Sequence, residues 1–115
     1  MIKREKLHLT QIMESSQNAL IFVEGYSKAD FLGDSKTQHA VAMALISIGE
    51  SAKRLLEKHP DFTAQHEEIK WDKICGQRNR IAHGYHEIDW GVVWDTVTED
   101  LGELACKIEL ILKDY

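Results

Sequence analysis

Apolar side chains recur at intervals of three and four along four stretches of the chain, the spacing that lines one face of an α-helix. The first stretch predicts a helix over residues 3–24, with Leu9, Ile12, Ala19 and Val23 near one face and Gly25 as its stop. Asp34 reads as the N-cap of a second helix over 35–58, in which Val41, Leu45, Ile48, Ala52 and Leu55 form the apolar face. Pro60 enforces its end. Residues 61–70 are polar and read as a loop with room for one helical turn. A third, shorter helix starts near Trp71 and runs to Ile81 or His83, closed by Gly84 in the left-handed conformation that ends many helices. Asp89 caps a last helix over about 90–113, where Val93, Val97, Leu101, Leu104, Ile108 and Ile111 are spaced 4, 4, 3, 4 and 3. With no internal repeat, low-complexity tract or domain boundary, the expectation is one all-α domain over residues 1–115. Its architecture is an antiparallel four-helix up-down bundle with a short extra helical turn.

Composition narrows the class without naming a function. A chain of 115 residues that is 43% hydrophobic and 29% charged can close one core and stay folded. No apolar run approaches the roughly 18–20 residues that span a bilayer, so no membrane partner is expected. Residues 1–10 are charged and lack an apolar h-region, so a secretory signal is not expected and a cytoplasmic location is. Cys75 and Cys106 are too few for a disulfide framework, and Cys106 reads as a buried thiol on the apolar stripe of the last helix. Trp71, Trp90 and Trp94 read as core or interface anchors rather than base-stacking platforms.

Charge changes the picture more. The net charge of −5 argues, for the whole chain, against a nucleic-acid partner. Residues 86–115, however, carry eight acidic side chains against Lys107 and Lys113, a balance of −6, whereas residues 1–85 stand at +1. The acidity belongs to the last helix, and a local basic site elsewhere stays open.

Arg78, His83 and Tyr85 form the pattern R-x-x-x-x-H-x-Y. Arginine is permanently charged and offers a planar fork that suits a phosphate, and histidine moves protons near neutral pH. Together they suit metal-free RNA cleavage, in which a base activates the ribose 2′-hydroxyl and a cation stabilises charge on the phosphorane. A five-residue offset turns about 140° around an ideal helix, so the two do not share a face of a straight one. They converge only where the helix unwinds near Gly84 or where a second subunit supplies the other half of a site. The plainer reading, which spacing alone favours, is an arginine–acid surface pair and a histidine at the helix C-terminus.

The run Trp71-Asp72-Lys73-Ile74-Cys75-Gly76-Gln77-Arg78-Asn79-Arg80-Ile81-Ala82-His83-Gly84-Tyr85, with Ile88-Asp89 and Val93-Trp94 after it, resembles the HepT-like branch of the HEPN superfamily. The earlier Ile48-Gly49-Glu50-Ser51-Ala52-Lys53-Arg54-Leu55 is similar to the second-helix signature of that branch. The resemblance implies a helical homodimer, with higher oligomers left open, that acts as a toxin by cleaving RNA without a metal or other cofactor. It implies that Arg78 and His83 are the catalytic pair at a dimer cleft, that Asn79 orients the site, and that Tyr85 accepts AMP groups from a cognate minimal nucleotidyltransferase antitoxin. Nucleotides attached there would place charge and bulk where RNA phosphates must sit. Ser47, Ser51 and Gln77 depart from residues common in the resembling sequences.

Other candidates have plainer alternatives. Glu50 either pairs with Arg78 or Arg80 near the cleft or lies solvated beside Lys53 and Arg54. Arg80 either adds to an RNA clamp or is an exposed charge, and Lys53, Arg54, Lys70 and Lys73 are either a basic rim or ordinary surface. His39, His59, His66 and His86 form no recognisable metal set, and His83-x-x-His86 lacks a third ligand. Two further functions remain open: a non-catalytic nucleotide- or substrate-binding subunit of a nucleotidyltransferase complex, and a general helical dimerisation module.

Overall fold

A computed structural model describes residues 3–115, and its described residues are helical with no strand. The helices are α1 (Arg4–Phe22), α2 (Lys28–Leu32), α3 (Ser35–Lys58), α4 (Pro60–Gln65), α5 (Trp71–His83), α6 (Trp90–Asp95) and α7 (Leu101–Leu112). α1, α3, α5 and the continuous run from α6 to α7 are the four rods of the expected all-α bundle. α3 lies at its centre, with α1 on one side and α5 on the other, and α7 packs on α1. The α1/α3 pairing is antiparallel: Ser15 bonds Ser47 at 3.0 Å and Ser51 bonds Gln11 at 3.1 Å, so positions fall along α1 as they rise along α3.

The periodic positions are the buried ones. Leu9, Ile12, Ala19 and Val23 from α1 and its end meet Val41, Leu45, Ile48, Ala52 and Leu55 of α3 and Val97, Ile108 and Ile111 of the last rod in one core. α1 stops where expected, since Gly25 takes a positive φ of 80° that few other residues tolerate. Asp34 caps α3 by accepting from the Thr37 amide at 3.1 Å, and its other oxygen accepts from Tyr26 at 2.6 Å. Those bonds hold its carboxyl down at about 2.

Four expectations need correction. α2 was not foreseen; Ser27 and Asp30 form a reciprocal capping box that starts it, and Gln38 closes its far end by donating to the carbonyls of Phe31 and Leu32. Gly84 ends α5 with φ −125°, not in the left-handed region. What it supplies is room, because a Cβ there would stand 3.0 Å from the Arg80 carbonyl oxygen. The last helix is not uniform: a π turn spans Thr96–Asp100. Two successive steps of four, Val93 to Val97 to Leu101, overrun the 3.6-residue period, and the wider turn absorbs the excess and keeps all three buried. Cys106 is exposed rather than buried. Leu104, Ile108 and Ile111 define the inward stripe, and two residues beyond Leu104 a side chain has turned by about 200°.

The polar stretch after α3 does contain a helical turn, α4, with Pro60 at its start, where a missing amide hydrogen costs nothing. Trp71 is buried and donates from Nε1 to the His66 carbonyl at 3.1 Å, fixing the entry to α5. Trp90 and Trp94 pack against Phe31, with ring centroids 6.3 and 5.5 Å away.

Candidate active site

The site is built where α5 crosses α3. At Gly49 the two backbones come so close that a Cβ would overlap the Arg78 Cβ and lie 2.6 Å from its Cγ. Glycine at this position is therefore a slot for the stem of Arg78. Glu50, the next residue, receives the guanidinium through Arg78 Nη2. Arg78 Nη1 donates to Asn79 Oδ1 at 2.9 Å. Both charged side chains are partly screened from water, 19% exposed for Arg78 and 36% for Glu50, which strengthens a pair relative to one in open solvent. The remaining nitrogen, Arg78 Nε, is buried with no protein partner.

Of the residues singled out from the sequence, Arg78, Glu50 and Asn79 are thus brought together, and Glu50 pairs with Arg78 rather than with a lysine of its own helix. His83 and Arg80 are exposed, and among the described residues neither bonds to that group. α5 stays helical through His83, so the unwinding that would let Arg78 and His83 converge within one chain does not occur. Arg78 faces α3, Ile81 enters the core, and His83 projects to solvent at the helix end.

Tyr85 follows in a short 3-10 turn, Tyr85–Glu87. Its ring lies 5.3 Å from that of His39 and 6.0 Å from that of Trp90, and burial raises its phenol above the usual range. His39 Nδ1 stands 2.6 Å from the Ser35 carbonyl, which can only accept, so that nitrogen carries the hydrogen. His39 was considered only as a metal ligand. The missed signal is its offset of eleven residues from Glu50, close to three full turns, which puts both on one line along α3. Gly49 was noted as part of a motif, but a steric role toward Arg78 requires knowing which helices cross.

The three departures all make cross-helix hydrogen bonds: Ser47 to Ser15, Ser51 to Gln11, and Gln77 Nε2 to Thr96 Oγ1 at 2.6 Å. The Cys75 thiol, 3.9 Å from the Gly49 carbonyl, is pushed up by burial and by Asp72, which keeps it out of thiolate chemistry. Among the described residues no three His, Cys, Asp or Glu side chains gather as a metal site would require, and no helix is long and apolar enough to cross a membrane.

The model of the family described as "Ribonuclease HepT-like" matches residues 12–111. The chain belongs to the HepT-like ribonuclease family. A protein of Thermococcus cleftensis named "Probable ribonuclease HepT" is 36% identical over 113 residues, 98% of this chain and 100% of the relative. A Methanocaldococcus jannaschii protein named a "Putative RNase" is 31% identical over 112 residues, 97% of this chain and 90% of its own. Another so named, from Caldanaerobacter subterraneus subsp. tengcongensis, is 27% identical and covers 97% of both chains. No solved structure matches. In this HepT-like chain the family match spans the Gly49 slot, the Arg78–Glu50 pair, His83 and Tyr85 together.

Proposed function

We propose that this HepT-like protein is the toxin of a toxin–antitoxin pair, a metal-independent RNA endonuclease working as a homodimer in the cytoplasm. The observation that carries the reading is the seating of Arg78: slotted at Gly49, held by Glu50, and separated within its own protomer from an exposed His83. A cation fixed this firmly is preorganised for one place, as charge stabilisation in a transition state requires. A histidine left free at the surface is positioned to complete the site of a second copy.

In this mechanism His83 takes the proton of a ribose 2′-hydroxyl. The oxygen attacks the adjacent phosphorus, and the 5′-oxygen leaves, taking a proton from water. Arg78 stabilises the charge on the phosphorane, assisted by Asn79 and Arg80, while Glu50 holds Arg78 in place. The products carry a 2′,3′-cyclic phosphate and a 5′-hydroxyl. Tyr85 is the acceptor for AMP: its phenol attacks the α-phosphorus of ATP, pyrophosphate leaves, and a cognate minimal nucleotidyltransferase supplies the base. The raised phenol supports that division of labour, because the neutral hydroxyl needs a base brought to it.

Purified protein should cleave RNA in EDTA, and His83→Ala should lower the rate by about 10²–10⁴-fold, the usual contribution of a general base. Cleavage abolished by EDTA, or full activity in His83→Ala, would overturn this mechanism, whereas no cleavage and no expression toxicity that His83→Ala removes would favour the other reading, a non-catalytic nucleotide-binding subunit. Intact mass after co-expression with the antitoxin should rise in steps of one AMP, and Tyr85→Phe should remove those steps.

A further inference from the structure

The α1/α3 seam carries charge that the catalytic reading leaves unused. Its register is fixed by the Ser15–Ser47 and Gln11–Ser51 bonds. Continued toward the start of α1, that register sets His8 against Arg54 and Arg4 against Lys58. The surroundings of His8 agree. Burial first, and then Arg54, His59 and Arg4, hold its imidazole below the usual range against the opposing pull of Glu5, and the rings of His8 and His59 lie 6.4 Å apart. Arg4, Arg54 and Lys58 are exposed, and among the described residues none of the three forms a salt bridge. By contrast, Lys53 is tied to Glu57 and Lys73 to Asp100. The nearby acid Glu5 is turned to His59 at 3.4 Å. His8 Nδ1 is buried with no protein partner.

α3 links this cluster to the site. Glu50, which holds Arg78, lies four residues before Arg54 and eight before Lys58, about 6 and 12 Å along the helix axis. Phosphates of one strand advance about 3.4 Å each along a duplex axis and farther along an extended single strand, so a few nucleotides cover that length. The unpaired arginines at Arg4 and Arg54 offer forked donors to phosphate oxygens, and no base-reading groove is needed for such contacts.

We propose that Arg4, Arg54 and Lys58 form a phosphate track that holds the backbone of single-stranded RNA a few nucleotides from the scissile phosphate. The track rests on the ribonuclease reading and extends it to how substrate is gripped. It makes binding sequence-independent at that end, strongly salt-sensitive and dependent on RNA length.

The test measures binding in the His83→Ala protein, so that RNA survives, with fluorescent single-stranded RNAs of about 4 and about 16 nucleotides, a range typical of single-strand sites. Adding Arg4→Gln and Arg54→Gln should weaken binding of the longer RNA about tenfold at low salt. The slope of log affinity against log salt should flatten by about 1.4, or 0.7 for each lost phosphate contact. The shorter RNA should lose less. Lys58→Glu, a single exposed change, should act in the same direction and decides the matter if thermal melting shows the double change to be unfolded. Unaltered affinity and slope, in a protein whose His83→Ala parent still binds the longer RNA, would overturn the track and leave the ribonuclease reading standing. If the parent binds neither RNA and the unmutated chain cleaves none, the ribonuclease reading falls and the track with it.

Discussion

α3 meets its two long neighbours by different means. Against α1 it presents small polar side chains, Ser47 and Ser51, which bond Ser15 and Gln11. Against α5 it presents a missing side chain: the Arg78 stem occupies the space that a Cβ on Gly49 would need. The first seam spreads its contacts over several exchangeable residues. The second concentrates them on one glycine and one arginine, and it is the one that carries the candidate chemistry. Close backbone approach gains a fixed guanidinium at the cost of tolerance to substitution.

That contrast can be broken by mutation. Gly49→Ala is expected to have the largest effect. The atom it would strike is the stem of Arg78 rather than a flexible tip, so α5 must shift, with a loss of about 1–3 kcal/mol in urea denaturation. RNA cleavage should fall by about 10² or more as Arg78 leaves its place. A loss below about 0.5 kcal/mol, typical of a neutral surface change, would mean that the α5 seam is as forgiving as the α1 seam. Glu50→Gln keeps the shape and removes the charge. With both partners partly exposed, about 1 kcal/mol is the expected stability loss. Cleavage should fall about tenfold while RNA binding is unchanged or tighter, since one repulsive charge is gone. Equal losses in binding and turnover would place Glu50 against the RNA instead of behind Arg78.

On the α1 side, Ser51→Ala should cost about 0.5–1.5 kcal/mol for its hydrogen bond and leave cleavage unaltered. A cleavage defect there would couple the two seams. The smallest effect concerns neither seam directly. The Asp34 carboxyl is depressed to about 2 by hydrogen bonds that favour its ionised form, so its contribution is complete above its ordinary value of 3.8. That contribution fades as pH falls toward 2. Asp34→Asn should therefore flatten the loss of stability between about pH 4 and 2, as followed by circular dichroism during acid titration, and do so without touching α3's two seams.

Much of the bundle was legible in the sequence because burial imposes a period. Leu9, Ile12, Leu45, Ile48, Leu55 and Ile108 recur at helical spacing and are all buried. The Asp34 and Asp89 caps were readable because a side chain that accepts from a nearby amide leaves a local signature. α2 was also within reach through Ser27-x-x-Asp30, but its five residues are too few to set a period. What local pattern could not give was the meeting of distant positions. That Gly49 accepts Arg78, or that His39 lies beside Tyr85, depends on how rods cross, and crossing is decided by packing between elements rather than within one. Cys106 illustrates the reverse error: a small apolar residue near a stripe is not on it when the helix has turned past.

The π turn at Thr96–Asp100 bears on how this chain is compared with others. It amounts to one residue more than a regular helix needs over that stretch, with Thr96 anchored to Val92 on its own helix and to Gln77 on α5. A homologue with an unbroken last helix is therefore one residue shorter there, and a correct alignment opens a single-residue gap inside the helix, where gaps are ordinarily penalised most. An ungapped alignment would keep the α7 stripe in phase and shift every residue before the turn by one position. Tyr85 and His83 would then be compared with their neighbours, and an intact motif would read as lost.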